Sequence, residues 1–335
     1  METIERITLA AIKDRTAALR EAVLHTPTVP FKTPLIADLM AGEVFLKLEC
    51  LQYTGTFKAR GALSVARQIP QDQRSNGITA ASAGNHAIAA AWAARQSGMS
   101  AKVVMQNTAN PFRIARAEAE GATVILRDPG PDTFAEAERL SRDENRTFIH
   151  PFEGVDTTLG TAGVGLEFIQ DVSDLDAVIV SVGGGGLISG VAAAIKLVNP
   201  KCKVFGIEPA GADSMSRSIS AGHPVTLDKV STIADSLAPP MALPISYALC
   251  AAYVDDMVTV TDDQICAGLV VLQQEAKLAV EPAAGAAIAG MLGPLRARLL
   301  GKKIGVIVCG ANIDATTYQT LLQRGCDHLG ALTAS

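Results

Sequence analysis

Two segments, far apart in the chain, combine residue types that could hold a phosphorylated aldehyde cofactor. Segment 55–61 (GTFKARG) offers the amine of Lys58 on a short stretch rich in small residues. Segment 181–187 (SVGGGGL) places four glycines between an apolar run and a helical run, where bare backbone N–H groups can bind a phosphate. An amine and a phosphate cradle are what an enzyme needs to hold pyridoxal phosphate (PLP) through a Schiff base. The pair therefore predicts a PLP site.

Three further segments carry side chains suited to such a site. Segment 82–86 (SAGNH) follows a short strand and opens an Ala-rich helix, so its N–H groups suit a carboxylate, although an ordinary helix cap is the alternative. Segment 306–312 (VIVCGAN) puts Cys309 at the carboxyl end of a strand, where α/β sheets bind ligands. The alternative is that Cys309 is simply a small apolar residue of the core. Glu281, in segment 280–285 (VEPAAG), either faces the cofactor or stabilises a helix start.

The glycine run does not match the two common nucleotide-binding motifs. A dinucleotide fingerprint needs a third glycine, and the corresponding positions hold Ile188 and Ser189. A P-loop needs Gly-Lys-Ser/Thr, and Gly190 is followed by Val191. A phosphate monoester site at a strand-to-helix turn is the interpretation that remains.

The elements around these segments predict an α/β fold. Short Val/Ile-rich runs alternate with Ala/Leu/Glu/Arg-rich helical stretches, as in βαβ units. The apolar runs are continuous, which is typical of parallel, twisted strands covered by helices on both faces. The length of 335 residues favours about two domains, and because no linker separates them, we expect one domain to be inserted into the other.

Composition narrows the classes of partner. The net charge is −5 and no basic run stands out, so nucleic acid is not an expected partner. No apolar run reaches the roughly 18 residues of a membrane span, and the first residues lack an apolar signal core. Six cysteines are scattered without metal-like or disulfide-like spacing, so we expect reduced thiols and a cytoplasmic protein.

Together these motifs resemble the fold-type II PLP enzymes, the tryptophan synthase beta-like group. Within it the chain is similar to the branch of threonine/serine dehydratases and serine racemases, from about residue 25 to residue 312, with the motifs in the same order. The resemblance implies a large PLP-binding domain of residues 1–68 and 153–330, and a small inserted domain of residues 69–152 that grips the substrate. It also implies a homo-oligomer, a dimer or a tetramer.

The resemblance assigns roles residue by residue. Lys58 would form the Schiff base and move the Cα proton, and Ser82 would share the catalytic work. The implied cofactor-binding residues are Phe57, Lys58, Asn85, Gly183, Gly184, Gly185, Gly186, Glu281 and Cys309. Phe57 would lie beside the cofactor ring, Asn85 at its 3′-oxygen and Cys309 at its pyridine nitrogen. The implied substrate-binding residues are Ser82, Ala83, Gly84, Asn85 and His86.

A cation site is implied as well. Glu208, the carbonyl of Ala212 and Ser214 correspond to positions where relatives bind Mg²⁺ or K⁺. Ser214 stands where magnesium-dependent relatives often have Asp, and fewer charged oxygens weaken a hard-cation site.

Three other positions depart from the branch. Ala83 stands where its racemases have a serine that handles the proton on the second face of Cα, so slow racemisation is expected. Phe152 replaces a residue that is frequently polar and near the substrate. Segment 160–163 (GTAG) differs from the usual GQGT. The last two positions leave the pocket for the substrate side chain open.

The predicted function is that of a PLP-dependent lyase, a dehydratase or ammonia-lyase. It would convert a β-hydroxy amino acid, most simply L-threonine or L-serine, to a 2-oxo acid and ammonia by β-elimination. Alternatives are dehydration of 3-hydroxyaspartate or another β-hydroxy amino acid, serine racemisation, and a non-catalytic binding protein that kept the fold. Retention of Lys58 argues against the last. The short segment after Asn312 favours amino-acid catabolism over feedback-regulated biosynthesis.

Overall fold

The chain folds around two mainly parallel β-sheets flanked by helices. The computed structural model describes residues 4–82 and 84–334. The strands are β1 (Thr28–Pro30), β2 (Glu43–Lys47), β3 (Ile78–Ala81), β4 (Ala101–Gln106), β5 (Thr123–Arg127), β6 (Thr147–Phe148), β7 (Ala177–Ser181), β8 (Lys203–Pro209), β9 (Asp256–Val260) and β10 (Lys303–Ile307). The helices are α1 (Leu9–Leu19), α2 (Pro34–Met40), α3 (Lys58–Gln68), α4 (Asn85–Gln96), α5 (Pro111–Ala119), α6 (Pro131–Asp143), α7 (Val155–Asp171), α8 (Gly186–Val198), α9 (Ser214–Ala221), α10 (Pro244–Tyr253), α11 (Asp262–Glu275), α12 (Pro282–Leu292), α13 (Arg296–Leu299) and α14 (Ala315–Thr333).

The six-stranded sheet has the order β1-β2-β10-β7-β8-β9, and the four-stranded sheet has the order β5-β4-β3-β6. Every pairing is parallel except that of β1 with β2. The predicted α/β fold class is confirmed. The strands of the smaller sheet all lie within residues 78–148, a single stretch of chain. The domain boundaries at 68/69 and 152/153 stay a prediction.

The parallel arrangement brings the predicted motifs to the carboxyl ends of the strands. Segment 82–84 follows β3, segment 182–185 follows β7, and segment 308–312 follows β10. Each of the first two leads directly into a helix, α4 and α8 respectively. Loops at the carboxyl ends of parallel strands are where α/β sheets hold ligands.

Helix α3 begins at Lys58 and is fixed by a buried ion network. The Arg60 guanidinium donates to Glu49 at 2.9 Å and to Glu167 at 2.7 Å, and all three side chains are almost fully buried. Close packing reinforces this contact, because a Cβ at Gly160 of α7 would lie 2.5 Å from the Arg60 carbonyl oxygen. The start of α3 is therefore held rigidly against α7.

Segment 160–163 has a structural explanation. It lies in the buried middle of α7, between α3 and α8. A Cβ at Gly190 of α8 would lie 2.5 Å from the Ala162 nitrogen, and the Thr161 hydroxyl donates to the Gly186 carbonyl at 2.8 Å. Small residues here allow α7 and α8 to approach, and Thr161 fixes the first residue of α8.

Across residues 4–82 and 84–334, no helix has both the length and the apolar character that crossing a membrane requires.

Candidate active site

The amine of Lys58 is enclosed at the first residue of α3. Its Nζ donates to the Pro151 carbonyl at 2.5 Å and lies 5.1 Å from the centre of the Phe57 ring. Burial lowers the pKa of the Lys58 amine to about 8, although the charge of Glu281 favours its protonated form. A large fraction of this amine is therefore neutral near pH 8, as a nucleophilic lysine requires.

A small cavity borders this amine and connects it to the predicted glycine loop. Its lining includes Phe57, His86, His150 and Gly186 together with Lys58. The lysine motif and the start of α8 are thus neighbours in the structure although they lie far apart in the sequence.

The glycine loop tolerates little more than glycine. Gly185 has φ +90°, in the left-handed region that favours glycine, and α8 starts at the next residue. A Cβ at Gly184 would lie 2.4 Å from the Phe152 ring, and one at Gly183 would lie 3.0 Å from Leu237 Cα. The loop therefore presents bare backbone at the N-terminus of a 13-residue helix, an arrangement suited to a phosphate. The residues present fit the phosphate of PLP.

The loop after β3 has the predicted strand–loop–helix form. The Gly84 amide donates to the Ser82 hydroxyl at 3.1 Å, and α4 begins at Asn85. Ala83 lies outside the described residues. A Cβ at Gly84 would lie 2.9 Å from Nη1 of Arg113, so the guanidinium of Arg113 packs directly on this loop.

Asn85, Glu281 and Asn312 form one buried hydrogen-bond network. The Asn85 amide donates to both Glu281 oxygens at 2.8 Å, and its own oxygen accepts from the Asn312 side chain at 2.9 Å. Ser236 also donates to Glu281, at 3.0 Å. Burial raises the pKa of the Glu281 carboxyl, while Arg113 and Asn85 act in the opposite direction. The residues that follow β3 and β10 are thereby linked around one carboxyl group.

Cys309 is almost fully buried just after β10. Burial, and next the charge of Glu281, raise the pKa of its thiol well above the ordinary value. The thiol is therefore neutral at physiological pH. Its carbonyl accepts from the amide of Phe57 at 3.2 Å, which ties it to the lysine segment.

Both histidines at the cavity are neutral. Burial and the nearby Lys58 lower the pKa of His86 to about 3 and that of His150 to about 4. Nε2 of His86 lies 2.8 Å from the Ile149 carbonyl, which can only accept, so this nitrogen carries the proton. Nδ1 of His150 accepts from the Glu153 amide at 3.0 Å, so its proton is on Nε2.

Two of the predicted cation donors, Glu208 and Ser214, have protein contacts of their own. Glu208 is buried, and its carboxylate accepts from the amides of Met215 and Ser216 at 2.8 Å, so it caps α9. Burial raises its pKa to about 7. Ser214 adds only a hydroxyl, which points to the Pro239 carbonyl at 3.5 Å. Within the described parts of the chain, no three His, Cys, Asp or Glu side chains group as a metal site.

Several residues at the site were not assigned a role from the sequence. Arg113 and His150 stand outside the motifs, and Asp235 and Ser236 lie in a turn without any recognisable pattern. Asn312 belonged to a motif, but its contact with Asn85 could not be inferred from local spacing. The strand–loop–helix order in the sequence predicts where the loops of the site lie. It does not predict which side chains from other segments contact those loops.

A buried amine beside a glycine loop, at the carboxyl ends of parallel strands, defines the α/β type of PLP-dependent enzyme. The model of the family "Pyridoxal-phosphate dependent enzyme" matches residues 19–310, and the chain belongs to this family. The predicted resemblance is confirmed.

Similar proteins cover nearly the whole chain. Phenylserine dehydratase of Ralstonia pickettii is 45% identical over 95% of this chain and 97% of its own length. L-threonine ammonia-lyase of Thermotoga maritima is 35% identical over 95% of this chain and 79% of its own length. The structure of maize serine racemase superposes with a TM-score of 0.87 at 32% identity, covering 94% of this chain and 98% of the other.

Proposed function

We propose that this protein is a PLP-dependent dehydratase that converts a β-hydroxy-α-amino acid to a 2-oxo acid and ammonia. The observation that carries the proposal is the enclosed Lys58 amine, with a pKa of about 8, in a cavity that reaches the start of α8. The names of the dehydratase relatives support the same reaction class.

When bound, PLP supplies an electron sink for the bond between Cα and its hydrogen. The residues of the chain provide the rest. Lys58 would hold the cofactor and would remove the Cα proton of the substrate. The N–H groups of residues 183–186 would bind the phosphate, and Phe57 packs beside the Lys58 amine. Asn85 and Glu281 lie in the network expected at the cofactor's 3′-oxygen.

The loop of residues 82–86 is proposed to bind the substrate α-carboxylate. It lies at the N-terminus of α4, where the backbone amides and the helix dipole favour an anion. Ser82 adds a hydroxyl, and Arg113 supports the loop at Gly84. The α-carboxylate is thus held by backbone donors and not by a free cation.

The neutral thiol of Cys309 favours elimination over transamination. Transaminating PLP enzymes place a carboxylate at the pyridine nitrogen, which keeps that nitrogen protonated. Beside the neutral Cys309 thiol this nitrogen would stay largely unprotonated and would stabilise a carbanion at Cα less, which would favour prompt loss of the β-hydroxyl. The C–O bond breaks, the hydroxyl leaves as water after taking a proton, and one water is consumed when the C–N bond is hydrolysed. The net products are the 2-oxo acid and ammonia.

Serine racemisation is the second candidate, supported by the similarity to maize serine racemase. Inversion at Cα needs a proton donor on the face opposite Lys58. Ala83, at the position where the racemases of the branch carry a serine, has no titratable atom, and His86 directs its only proton at the Ile149 carbonyl. Dehydration is therefore the proposed main reaction.

Dehydration of 3-hydroxyaspartate is less well supported. A β-carboxylate requires an unpaired cation in the pocket, and Arg113 already forms an ion pair with Asp235. Both histidines at the cavity are neutral. An uncharged side chain is therefore proposed for the substrate.

The test is an assay of the purified, PLP-loaded protein with L-threonine, L-serine, both diastereomers of 3-phenylserine and 3-hydroxyaspartate. The expected result is equimolar release of ammonia and 2-oxo acid from at least one uncharged substrate, with D-serine forming much more slowly than pyruvate. Racemisation at a comparable rate, or no turnover of any member, contradicts the proposal.

The proposal also covers the need for a cation, the oligomeric state and the cellular location. Because Glu208 caps α9 and Ser214 adds no charge, activity should persist when divalent cations are removed with EDTA. A homo-oligomer and a cytoplasmic location are proposed as well. The location is supported by six free cysteines, of which all but Cys326 are buried.

A further inference from the structure

Four aromatic rings form a continuous wall from the protein surface to the glycine loop. Phe134 contacts Phe148 at a centroid distance of 6.4 Å and His150 at 6.2 Å. His150 contacts Phe148 at 5.8 Å and Phe152 at 4.7 Å, both with the rings nearly perpendicular. We call Phe134, Phe148, His150 and Phe152 the aromatic wall.

The inner end of the aromatic wall lies beside the reacting groups. The ring of Phe152 lies so close to Gly184 that a Cβ there would be 2.4 Å from it. The preceding residue, Pro151, accepts the hydrogen bond from the Lys58 amine, and His150 lines the cavity next to that amine. His150 thus lines the cavity beside the Lys58 amine, and Phe152 packs on the glycine loop next to it.

The outer end of the aromatic wall is open to solvent. Phe134, in the first turn of α6, remains 40% exposed while it packs against the rings of Phe148 and His150. The aromatic wall therefore continues from the glycine loop to the protein surface.

The charges around the cavity agree with an apolar ligand. Lys58 is the one charged group among its lining residues in the described chain, and His86 and His150 are neutral there. A charged substituent would lose its hydration and find no charged partner in this lining beyond the Lys58 amine.

We infer that the aromatic wall selects substrates that carry an aryl group on Cβ, the class to which 3-phenylserine belongs. This inference rests on the proposed dehydratase function and specifies its substrate. Aromatic rings prefer edge-to-face contacts, and the perpendicular arrangement of His150 and Phe152 offers both an edge and a face. The methyl group of threonine or the hydrogen of serine would leave most of this surface uncontacted.

Phe152 is the specificity-determining residue with the clearest test. We compare the wild type with Phe152→Asn and Phe152→Leu, and measure kcat/KM for 3-phenylserine and for L-threonine at saturating PLP. Phe45→Leu is the matched control. The Phe45 ring is on β2, where it contacts the Lys303 amine away from the site. Phe134→Leu tests the exposed end without touching the buried core.

The wild type should prefer 3-phenylserine to L-threonine by at least tenfold, since a single methylene is already worth roughly 10–200-fold in an apolar pocket. Phe152→Asn should lower the ratio of the two kcat/KM values at least tenfold. Phe152→Leu and Phe134→Leu should lower it less, and Phe45→Leu should leave it unchanged. A fall in both activities by the same factor means a purely structural role and overturns the inference. If Phe152 variants do not fold, an unchanged ratio in Phe134→Leu overturns it.

A binding measurement separates this inference from the proposed function. L-Phenylalanine and L-2-aminobutyrate lack the β-hydroxyl and cannot undergo elimination, so their affinity for the PLP-loaded protein can be measured by titration of the cofactor absorbance. Phe152→Asn should weaken L-phenylalanine at least tenfold and leave L-2-aminobutyrate within twofold. A wild type that dehydrates threonine but neither binds L-phenylalanine nor uses 3-phenylserine overturns the aryl specificity and leaves the dehydratase proposal intact.

Discussion

Arg113 and Asp235 form an ion pair between the two sheet-bearing parts of the chain. Arg113 lies in α5, beside the smaller sheet, and Asp235 lies in a 3₁₀ turn of residues 235–237 that packs against the glycine loop. Arg113 also donates from Nε to the Asn312 carbonyl at 3.1 Å. Because its guanidinium contacts Gly84 too, it connects the proposed carboxylate loop to the large sheet.

Asp235→Asn should therefore weaken substrate binding more than catalysis. We expect KM to rise about threefold to tenfold with kcat within twofold, because Arg113 loses the charge that orients it. The side chain of Asp235 is 55% exposed, so the pair should contribute only about 0–1 kcal/mol to the free energy of unfolding. Asp228→Asn, at an exposed position in the same connection, is the control. Steady-state kinetics that show an unchanged KM would refute this role.

Arg60→Met should destabilise the protein strongly. The change leaves the carboxylates of Glu49 and Glu167 buried without their main partner, which costs about 3–5 kcal/mol. Arg20→Met, at an exposed position, should change the free energy of unfolding by no more than about 0.5 kcal/mol. Denaturant titration of both variants tests the difference, and an equal effect would mean that the buried network is unimportant for stability.

His150 should make the folded state sensitive to acid. Its pKa is lowered to about 4 in the folded protein, so below its ordinary pKa of 6.5 the unfolded state binds a proton that the folded state does not. Stability is thus lost as the pH falls from 6.5 toward 4, by about 2 kcal/mol at pH 5 from this group alone. Unfolding of His150→Gln should show that much less destabilisation between pH 7.5 and pH 5. Identical pH slopes in the two proteins would contradict the assignment.

Gly184 and Phe152 should be coupled in cofactor binding. An alanine at residue 184 would collide with the Phe152 ring and displace the loop, at a cost of about 1–3 kcal/mol. We expect Gly184→Ala to raise the Kd for PLP about tenfold and Phe152→Ala in the same molecule to restore much of the affinity. PLP titration of the two single variants and the double variant measures the coupling. Additive effects would show that the ring does not constrain the loop.

The sequence predicted the fold class and the loops at the strand ends because these depend on local order. A strand, a glycine run and a helix are adjacent in the chain, so the position of Gly183–Gly186 follows from neighbouring residues. The partners of those loops could not be predicted in the same way. Arg113 and Asp235 are 122 residues apart, and Asn85 and Asn312 are 227 apart, so only the packed structure brings them together.

Two further contacts also depend on the packed structure. The glycines of segment 160–163 allow α7 to approach α3 and α8, and its Thr161 lines the cavity beside Lys58. The Glu208 carboxylate caps α9, a helix whose position the sequence does not reveal, and its role as a cation ligand stays a prediction. Close helix packing and capping across a loop are tertiary properties.

The attachment of the cofactor to Lys58 can be tested chemically. The PLP-loaded protein is reduced with borohydride, digested, and analysed by mass spectrometry to locate the pyridoxyl group, with Lys58→Ala and the surface variant Lys32→Ala treated in parallel. We expect the label on Lys58 in the wild type and in Lys32→Ala, and neither label nor 2-oxo acid release in Lys58→Ala. A label on another lysine, or undiminished turnover by folded Lys58→Ala, would contradict it.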